Sequence, residues 1–466
     1  MAAWYNLFAF LALAGAILAY MILKQNWEAQ HMEKVIRGLE REEKSANISK
    51  KFRAAVGFGS CMDIFVDGLA VFEKLGVAPP EHAVHHELIQ DMSSFAETFA
   101  YFMDEGAASE KYTNPLFFKK ILEAAKTVSG ARWAPGGNAP VISRRLSIEG
   151  AEEILVASNA SAKYKTFFPE NVRFLEESDH KDDIHIVLEF KLGEVWGNYT
   201  ASRANRFIIH SDVNNPKLRY IEPFQERLSS FGPDLIIVSA LQMLDNFPFK
   251  GDERQRRMEV LQKMLEPLSV PVHFEMASFS ENAMLKALLD YVVPYVTSLG
   301  MNEQELPNLV SMLKYNEVVN IADASPRTAI ILDLMRELYT TLKKKSNRIE
   351  RIHLHTLAFQ AVITRLGTPW KNTRAAIAKA SLVANRYVCN TDNIDVKKSK
   401  LFMDDSFATS VKPGSRRIFF KPENPVSCWQ EDDYEVCVAP VLVCTDIYQT
   451  GGAGDNISPS GFTLSL

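Results

Sequence analysis

Cysteine is scarce in this sequence, with five cysteines in 466 residues. They are scattered and form no C-x-x-C pair, so neither a disulfide-rich scaffold nor a cysteine-based zinc site is expected. Cys389 and Cys444 could form one disulfide in an oxidising compartment. Because the number of cysteines is odd, at least one thiol is left unpaired or is bound to another chain.

Excess charge of one sign is also absent. The 52 Lys and Arg residues against 57 Asp and Glu residues give a formal net charge of −5. A balanced chain of this size lacks the basic surface with which proteins bind nucleic acid, so we expect no nucleic-acid partner. We also expect a monomer. With 47% hydrophobic and 23% charged residues, wholesale disorder and a multispanning membrane protein are excluded.

A single long apolar run stands at the N terminus. No charged residue occurs from residue 2 to residue 23, and a helix of this length could span a bilayer. Small residues within the run offer a signal-peptidase cleavage site. Residues 1–23 can therefore be interpreted either as a signal peptide that is removed or as a signal-anchor that is retained. Residues 24–50 carry many charges of both signs and are expected to form a charged linker helix. A third interpretation is a buried N-terminal helix of the globular body.

Either form of the N-terminal segment directs the chain to the secretory route. The expected location is the endoplasmic reticulum, either anchored in the membrane through this segment or lumenal, with secretion if the signal is cleaved. Which side of the membrane the body occupies stays open. Asn47, Asn159 and Asn198 each begin an N-x-S/T triplet, which is a glycan acceptor in that compartment.

The body of the chain alternates short apolar runs with helical stretches. The apolar runs end in turn or polar residues, as buried parallel strands do. This alternation predicts a doubly wound α/β sheet with helices on both faces and with functional residues at the carboxyl ends of strands. Two β-rich segments, 184–190 and 206–210, flank a turn at Gly193 and predict an antiparallel hairpin in a smaller lobe. The predicted strands are 54–59, 154–157, 234–239 and 271–275, and the predicted helices are 258–268, 281–291, 326–343 and 373–388.

A glycine-rich turn near the C terminus carries the clearest chemistry. After an apolar strand at 438–444 comes Gly451-Gly452-Ala453-Gly454-Asp455, and residues 456–459 read as the first turn of a helix. Such a turn lets backbone amides close on a phosphate, while Asp455 could accept a proton from an attacking hydroxyl. This arrangement would transfer a phosphoryl group to an alcohol. Taken alone, it could also be an ordinary glycine turn in which Asp455 caps a helix.

Known phosphate-binding signatures of other kinds are missing. The sequence contains no G-x-x-x-x-G-K-[ST] loop and no H-R-D or D-F-G motif. Instead, the strand, the Gly-Ala-Gly-Asp turn and the helix resemble the ribokinase-like superfamily, and further segments are similar to the ADP-dependent glucokinase family. The similarity extends from about residue 52 to the C terminus. The segments that carry it are Cys61-Met62-Asp63, Gly136-Gly137-Asn138, Asn205-Arg206-Phe207, His273-Phe274-Glu275 and the N-x-x-E block from Asn302 to Glu305.

The resemblance implies transfer of the terminal phosphate of ADP to the 6-hydroxyl of glucose, giving glucose 6-phosphate and AMP with Mg²⁺ as cofactor. It implies that Asp455 is the general base and that the amides of Gly452, Ala453 and Gly454 form the anion hole. Glu275, Glu305 and Asp455 would hold the metal.

The remaining roles also follow from the resemblance. Asp63, Gly137 and Asn138 would bind the sugar, since a carboxylate accepts hydrogen bonds from hydroxyls and glycine permits close backbone approach. Arg206, Asn302 and His355 would bind the nucleotide, with the guanidinium of Arg206 as a phosphate clamp. For Asn302 and Glu305 a helix-start cap is the alternative.

The donor and the acceptor rest on the resemblance alone, because no spacing distinguishes ADP from ATP or glucose from another hexose. A related kinase with another sugar acceptor or an ATP donor is one alternative, and a non-catalytic membrane-tethered sensor of nucleotide or sugar is another. The predicted kinase domain covers residues 51–466, with a large α/β lobe and a discontinuous small lid drawn from parts of about 60–220.

Overall fold

The computed structural model describes residues 2–46, 51–176, 182–245, 247–279, 281–318, 326–449 and 451–466, with the backbone alone for residues 2–9 and 12. Asn47 and the end of the predicted 24–50 segment lie outside these ranges. The described helices are α1 (Ala2–Lys44), α2 (Gly68–Leu75), α3 (Met92–Glu105), α4 (Pro115–Lys126), α5 (Asn138–Ile148), α6 (Ala162–Lys165), α7 (Ile221–Phe231), α8 (Glu253–Leu265), α9 (Asn282–Tyr291), α10 (Glu305–Tyr315), α11 (Thr328–Ser346), α12 (Thr373–Val388), α13 (Ala453–Ser460) and α14 (Phe462–Ser465).

The strands divide mainly between two sheets. In chain order the described strands are β1 (Arg53–Gly57), β2 (Cys61–Asp67), β3 (Ser109–Tyr112), β4 (Arg132–Gly136), β5 (Glu153–Val156), β6 (Val172–Phe174), β7 (Ile184–Phe190), β8 (Val195–Trp196), β9 (Tyr199–Thr200), β10 (Asn205–His210), β11 (Leu235–Val238), β12 (Val272–Glu275), β13 (Ser298–Asn302), β14 (Arg351–His355), β15 (Phe359–Arg365), β16 (Ser399–Leu401), β17 (Ser406–Ala408), β18 (Arg417–Phe419), β19 (Ser427–Glu431), β20 (Tyr434–Pro440) and β21 (Leu442–Cys444).

The large sheet has the order β19-β20-β15-β14-β13-β12-β11-β1-β5-β6. Its strands are parallel from β14 to β6 and antiparallel from β14 to β19. Successive residues of β1 enter different cores, with Ala55 on one face and Ala54 and Val56 on the other, so both faces are covered. The four predicted strands are β1, β5, β11 and β12, which confirms the doubly wound α/β prediction. The predicted strand at 438–444 is divided between β20 and β21.

A smaller sheet has the order β3-β10-β7-β2-β4, and its five strands fall between residues 61 and 210. Strands β7 and β10 pair antiparallel, as the hairpin prediction requires. An aromatic cluster that includes Phe72, Phe95 and Phe99 packs in its core. All five strands fall within the predicted lid range, but β5 and β6 from the same range belong to the large sheet.

The chain crosses between the sheets where two glycines meet. Gly59, with φ +75°, follows β1, and Gly137, with φ +84°, precedes α5. A Cβ on Gly59 would overlap the side chain of Ala240, and one on Gly137 would overlap the carbonyl oxygen of Gly59. Only glycine fits this left-handed backbone at such close approach.

Helix α1 differs from the prediction of two separate N-terminal segments, because it runs without a break from Ala2 to Lys44. Its second half is not a free linker. Met32, Val35, Ile36 and Leu39 are buried in a cluster with residues of α12 and β20. These four apolar residues repeat at helical spacing and form a stripe between the charged residues. Among the described residues, no helix is both long enough and apolar enough to cross a membrane.

Two disulfides are formed among the described residues, one between cysteines 55 positions apart and one between cysteines nine positions apart. The expected pair, Cys389 and Cys444, is bonded with Cα atoms 5.6 Å apart. A second, unforeseen disulfide joins Cys428 and Cys437, which face each other in the β19–β20 ladder with Cα atoms 4.2 Å apart. Cys61 is a free, buried thiol.

Candidate active site

Three neighbouring parallel strands bring polar side chains to one edge of the large sheet. Strand β12 ends at Glu275, β13 at Asn302 and β14 at His355. In the ladder Glu275 pairs with Gly300, and Asn302 pairs with His355. A Cβ on Gly300 would overlap the carboxylate of Glu275. The absence of a side chain at this position of β13 therefore leaves the space that the carboxylate occupies.

Glu275 is buried and has three hydrogen-bond partners. Oε2 lies 3.0 Å from Nε2 of His273, while Oε1 lies 3.4 Å from Nε2 of His355 and accepts from the hydroxyl of Ser458 at 3.0 Å. Burial by itself would raise the pKa of Glu275, but the hydrogen bonds and the nearby imidazoles lower it to about 2. The carboxylate therefore stays ionised, and Ser458 ties helix α13 to the end of β12.

Asn302 and Glu305 bond to each other at the start of α10. The Glu305 carboxylate accepts from the backbone amide of Asn302 at 2.9 Å and from its Nδ2 at 3.0 Å. In return, Oδ1 of Asn302 accepts from the backbone amides of Gln304 and Glu305. This is the reciprocal cap that sequence left as the alternative. Burial raises the pKa of Glu305 to about 8, so the carboxyl can hold a proton at neutral pH.

The glycine-rich turn leads directly into α13. That helix begins at Ala453, before the predicted start at 456–459, and Gly452 with φ +71° is its N-cap. Tyr387 donates its hydroxyl to the carbonyl of Gly451 at 2.6 Å, and Asn456 Nδ2 donates to the carbonyl of Gly452 at 2.8 Å. With its carbonyls held in this way, the turn sits at a helix start, where the first amides have no partner within the helix.

Asp455 lies in the first turn of α13, and its side chain meets α5. Asn138 Nδ2 donates to Oδ1 of Asp455 at 2.9 Å, and Gln242 donates to the carbonyl oxygen of the same Asn138 side chain at 3.1 Å. Burial and the neighbouring Glu275 raise the pKa of Asp455 to about 7, although the bond from Asn138 and the charge of Arg206 act in the opposite direction.

Arg206 reaches the glycine turn from β10 of the smaller sheet. A Cβ on Gly451 would lie 3.8 Å from both Cδ and Nε of Arg206. Nε is buried without a hydrogen-bond partner among the described residues. A donor left unpaired beside a helix N-terminus is suited to an anionic oxygen.

Asp63 lies in β2 of the smaller sheet, and Gly137 directly follows β4 of the same sheet. The Asp63 carboxylate packs against Gly136, where any Cβ would overlap it. Burial raises the pKa of Asp63 to about 6. Burial raises the pKa of Tyr387 to about 12, and the charges of Asp455 and Asp63 add to this shift while that of Arg206 opposes it.

A buried charged group next to Asp63 in the smaller sheet was not predicted from the sequence. His185 contacts Asp212 through Nε2 at 2.9 Å and Glu110 through Nδ1 at 3.3 Å. Burial would lower the pKa of His185, but these carboxylates raise it to about 10. Tyr387, Gln242 and Ser458 were also missed, because each acts through a contact distant in sequence and none belongs to a short motif. The same holds for Arg145, whose Nε donates to Oδ1 of Asn456 at 3.0 Å.

Sequence and structure comparisons show which known proteins this chain is similar to. The sequence model described as "ADP-specific Phosphofructokinase/Glucokinase conserved region" matches residues 52–464. An ADP-dependent glucokinase from Bos taurus is 32% identical over 425 residues, covering 89% of this chain and 84% of the relative. A probable ADP-dependent glucokinase from Caenorhabditis elegans is 27% identical over 432 residues, covering 89% and 85%.

Among solved structures, an ADP-dependent kinase in complex with fructose-6-phosphate and ADPbetaS superposes with a TM-score of 0.67. The match has 20% sequence identity and covers 94% of this chain and 97% of that one. At this sequence identity the similarity shows the fold alone. It confirms the predicted fold class, a ribokinase-like doubly wound sheet with a smaller β-rich lobe.

Proposed function

The chain belongs to the ADP-specific phosphofructokinase and glucokinase family, and from that premise we propose how its residues transfer the terminal phosphate of ADP to glucose. The enzyme is a kinase whose products are glucose 6-phosphate and AMP, in line with its glucokinase relatives. The observation that carries the mechanism is the buried Asp455 carboxylate at the glycine turn, with Asn138 and Arg206 beside it.

Asp455 acts as the general base. A pKa of about 7 lets this carboxylate be ionised at neutral pH and still accept the proton of the 6-hydroxyl. Asn138 orients the carboxylate by donating to Oδ1, which leaves Oδ2 for the sugar. Asp63 and the backbone at Gly137 bind other hydroxyls of the acceptor, so that the reacting oxygen lies at the base.

The migrating phosphoryl group binds at the start of α13. The amides of Gly452, Ala453 and Gly454 and the helix N-terminus supply positive partial charge there. The unpaired Nε of Arg206 supplies a charged donor from the other side of the cleft. We assign His355, at the end of β14, to the nucleotide side. The side chain of Asn302, at the end of β13, is already used in its cap with Glu305. The fixed dipoles at the start of α13 stabilise charge that spreads over the phosphoryl oxygens during transfer.

Glu275 at the end of β12 and Asp455 in the first turn of α13 offer carboxylate oxygens, the ligand type that Mg²⁺ prefers. Glu305 would join them only after losing its proton, because its pKa is about 8 and both of its oxygens accept hydrogen bonds from Asn302. When bound, Mg²⁺ neutralises charge on the phosphate oxygens.

The surroundings of Asp63 favour an uncharged sugar over a sugar phosphate. Glu110 and Asp212 lie close enough to Asp63 to raise its pKa, and His185 already balances part of their charge. A phosphorylated acceptor placed here would bring a further dianion toward these carboxylates. This argues for glucose against fructose 6-phosphate as the acceptor.

The test is a product assay with the protein that retains helix α1. Glucose or fructose 6-phosphate is combined with Mg²⁺ and either ADP or ATP, and AMP, ADP and sugar phosphate are quantified. We expect glucose 6-phosphate and AMP in equal amounts from glucose and ADP. Faster turnover with ATP or with fructose 6-phosphate would assign another kinase, and ligand-induced stabilisation without product would assign a sensor.

We propose the lumen of the endoplasmic reticulum as the location, with the N-terminal segment as the targeting signal or membrane anchor. The two disulfides support an oxidising compartment. Asn198 is exposed and open to glycan transfer. Expression in animal cells should yield a form that loses mass on glycosidase treatment, while an unmodified form in a soluble cytosolic fraction would exclude this location.

We also propose that the protein is a monomer, and a molar mass measured by light scattering tests this.

A further inference from the structure

The amide side chain of Asn456 bonds to the glycine turn, and it adds to the bond that the backbone amide of Asn456 donates to the same Gly452 carbonyl at 3.1 Å. Asn456 is 4% exposed and follows the proposed base directly in sequence. Its Nδ2 donates to the carbonyl of Gly452 at 2.8 Å, and its Oδ1 accepts from Nε of Arg145 at 3.0 Å. An amide has one donor end and one acceptor end, and arginine has donors only. The bond from Arg145 therefore holds the oxygen on its own side and leaves the NH₂ group to face the turn.

Arg145 pairs with one acidic residue, which pairs in turn with a basic residue of another helix. On α5, its Nη1 donates to Oε1 of Glu149 at 3.0 Å, one helical turn away. The other oxygen of Glu149 contacts the ammonium group of Lys379 on α12. Lys379 also lies 3.7 Å from Glu43 near the end of α1. The charges alternate in sign along this row, so each group has an opposite charge beside it.

The row is too well shielded to be a solvated surface cluster. The side chains of Arg145, Glu149 and Lys379 are 13%, 6% and 12% exposed. Exposed ion pairs contribute little, whereas removal of one partner of a buried pair leaves an uncompensated charge. Groups held in this way have restricted rotamers, which a positioning role requires.

We propose that Arg145 is a positioning residue for phosphoryl transfer, acting through Asn456 on the carbonyl of Gly452 and so on the amides that begin α13. Arg145 touches neither the base nor the proposed phosphate site. Its effect is to select the Asn456 rotamer that holds the turn. This inference rests on the proposed function and adds to it a residue that no motif of the sequence marks.

The experiment compares Arg145→Met with the neighbouring Arg144→Met. Arg144 is exposed on the same helix and serves as the matched control. A displaced turn should lower the kcat of Arg145→Met by up to about 10²-fold with little change in the KM for glucose. Arg145→Lys, which keeps a cationic donor, should regain part of the loss, and Arg144→Met should match the unchanged protein.

A double-mutant cycle tests the route of the effect. If Arg145 acts through Asn456, Arg145→Met combined with Asn456→Ala should lose no more kcat than Asn456→Ala does alone. Multiplicative losses, or an Arg145→Met variant with full kcat, would overturn the inference. If Arg145→Met does not fold, Glu149→Gln, which keeps the arginine but frees it, should show a smaller kcat loss of the same kind, and full kcat there would count against the inference.

The two proposals fail in different ways. If the unchanged protein forms no AMP and glucose 6-phosphate, the proposed function is wrong. If it forms both products and Arg145→Met forms them at the same rate, only the positioning role is wrong.

Discussion

Asn138 and Asp455 are joined by a hydrogen bond of 2.9 Å, although 317 positions separate them in the sequence. The bond crosses from the start of α5 to the first turn of α13 and fixes the acid that we assign as the base. In Asp455→Asn the side chain keeps its shape but can no longer accept a proton. We expect kcat to fall by roughly 10²- to 10⁴-fold, and a coupled assay for glucose 6-phosphate measures it.

Binding provides the control for this variant. Asp63 and the backbone at Gly137 are unchanged in Asp455→Asn, so glucose should still raise the melting temperature of the protein. An Asp455→Asn protein with near-normal turnover would rule out this residue as the base.

The activity of the enzyme should depend on pH through the same carboxyl group. Because a base works only when deprotonated and the pKa of Asp455 is about 7, kcat should rise with pH through 7 and level off above it. The bond from Asn138 stabilises the ionised form and lowers this pKa. Asn138→Ala should therefore move the inflection to higher pH. A movement to lower pH, or a profile that is flat from pH 5 to pH 9, would contradict the assignment.

Gly300 should tolerate no side chain. A methyl group at this position of β13 would overlap the carboxylate of Glu275, which is held by His273, His355 and Ser458. Gly300→Ala should displace Glu275 and weaken Mg²⁺-dependent turnover by about tenfold or more. The measurement is the Mg²⁺ concentration that gives half-maximal rate.

A matched glycine serves as the comparison for Gly300→Ala. Gly15 lies in α1, where no atom approaches within 4 Å of an added Cβ. Gly15→Ala should leave the Mg²⁺ dependence unchanged. If both substitutions behave alike, Glu275 has no part in the magnesium site.

Helix α1 should contribute to the stability of the kinase body. Leu39 is fully buried against α12 and its neighbours, and Leu39→Ala should lower the free energy of unfolding by about 2 to 5 kcal/mol. Leu18, on the same helix, is 60% exposed, so Leu18→Ala should change it by about 0.5 kcal/mol or less. Urea denaturation measures both. Equal effects of the two substitutions would contradict the docking of residues 32–44.

Sequence reasoning succeeded where the signal was local. Apolar runs with turn residues at their ends revealed β1, β5, β11 and β12, because strands buried on both faces need no alternation. The residues at the ends of β12, β13 and β14 were recognised because short motifs mark them. Asn302 and Glu305 were recognised together, yet their mutual cap could not be distinguished from ligand binding, because both uses need the same residue types at the same spacing.

The errors arose where partners are distant in sequence. The stripe from Met32 to Leu39 is visible as a helical repeat, but dense charge around it suggested a solvated linker. Those charges in fact pair with α12, as Glu42 does with Arg374 at 3.3 Å. The disulfide between Cys428 and Cys437 is a different case, because only nine positions separate the two cysteines. It was missed because it depends on the register of β19 and β20, which no local pattern gives.

The contact between Gly59 and Gly137 limits how this protein can change over evolutionary time. A side chain on Gly137 would need the space of the Gly59 carbonyl, which is backbone and which no substitution can make smaller, whereas a side chain on Gly59 would meet the side chain of Ala240. Position 137 is therefore closed to larger residues whatever changes at its neighbours.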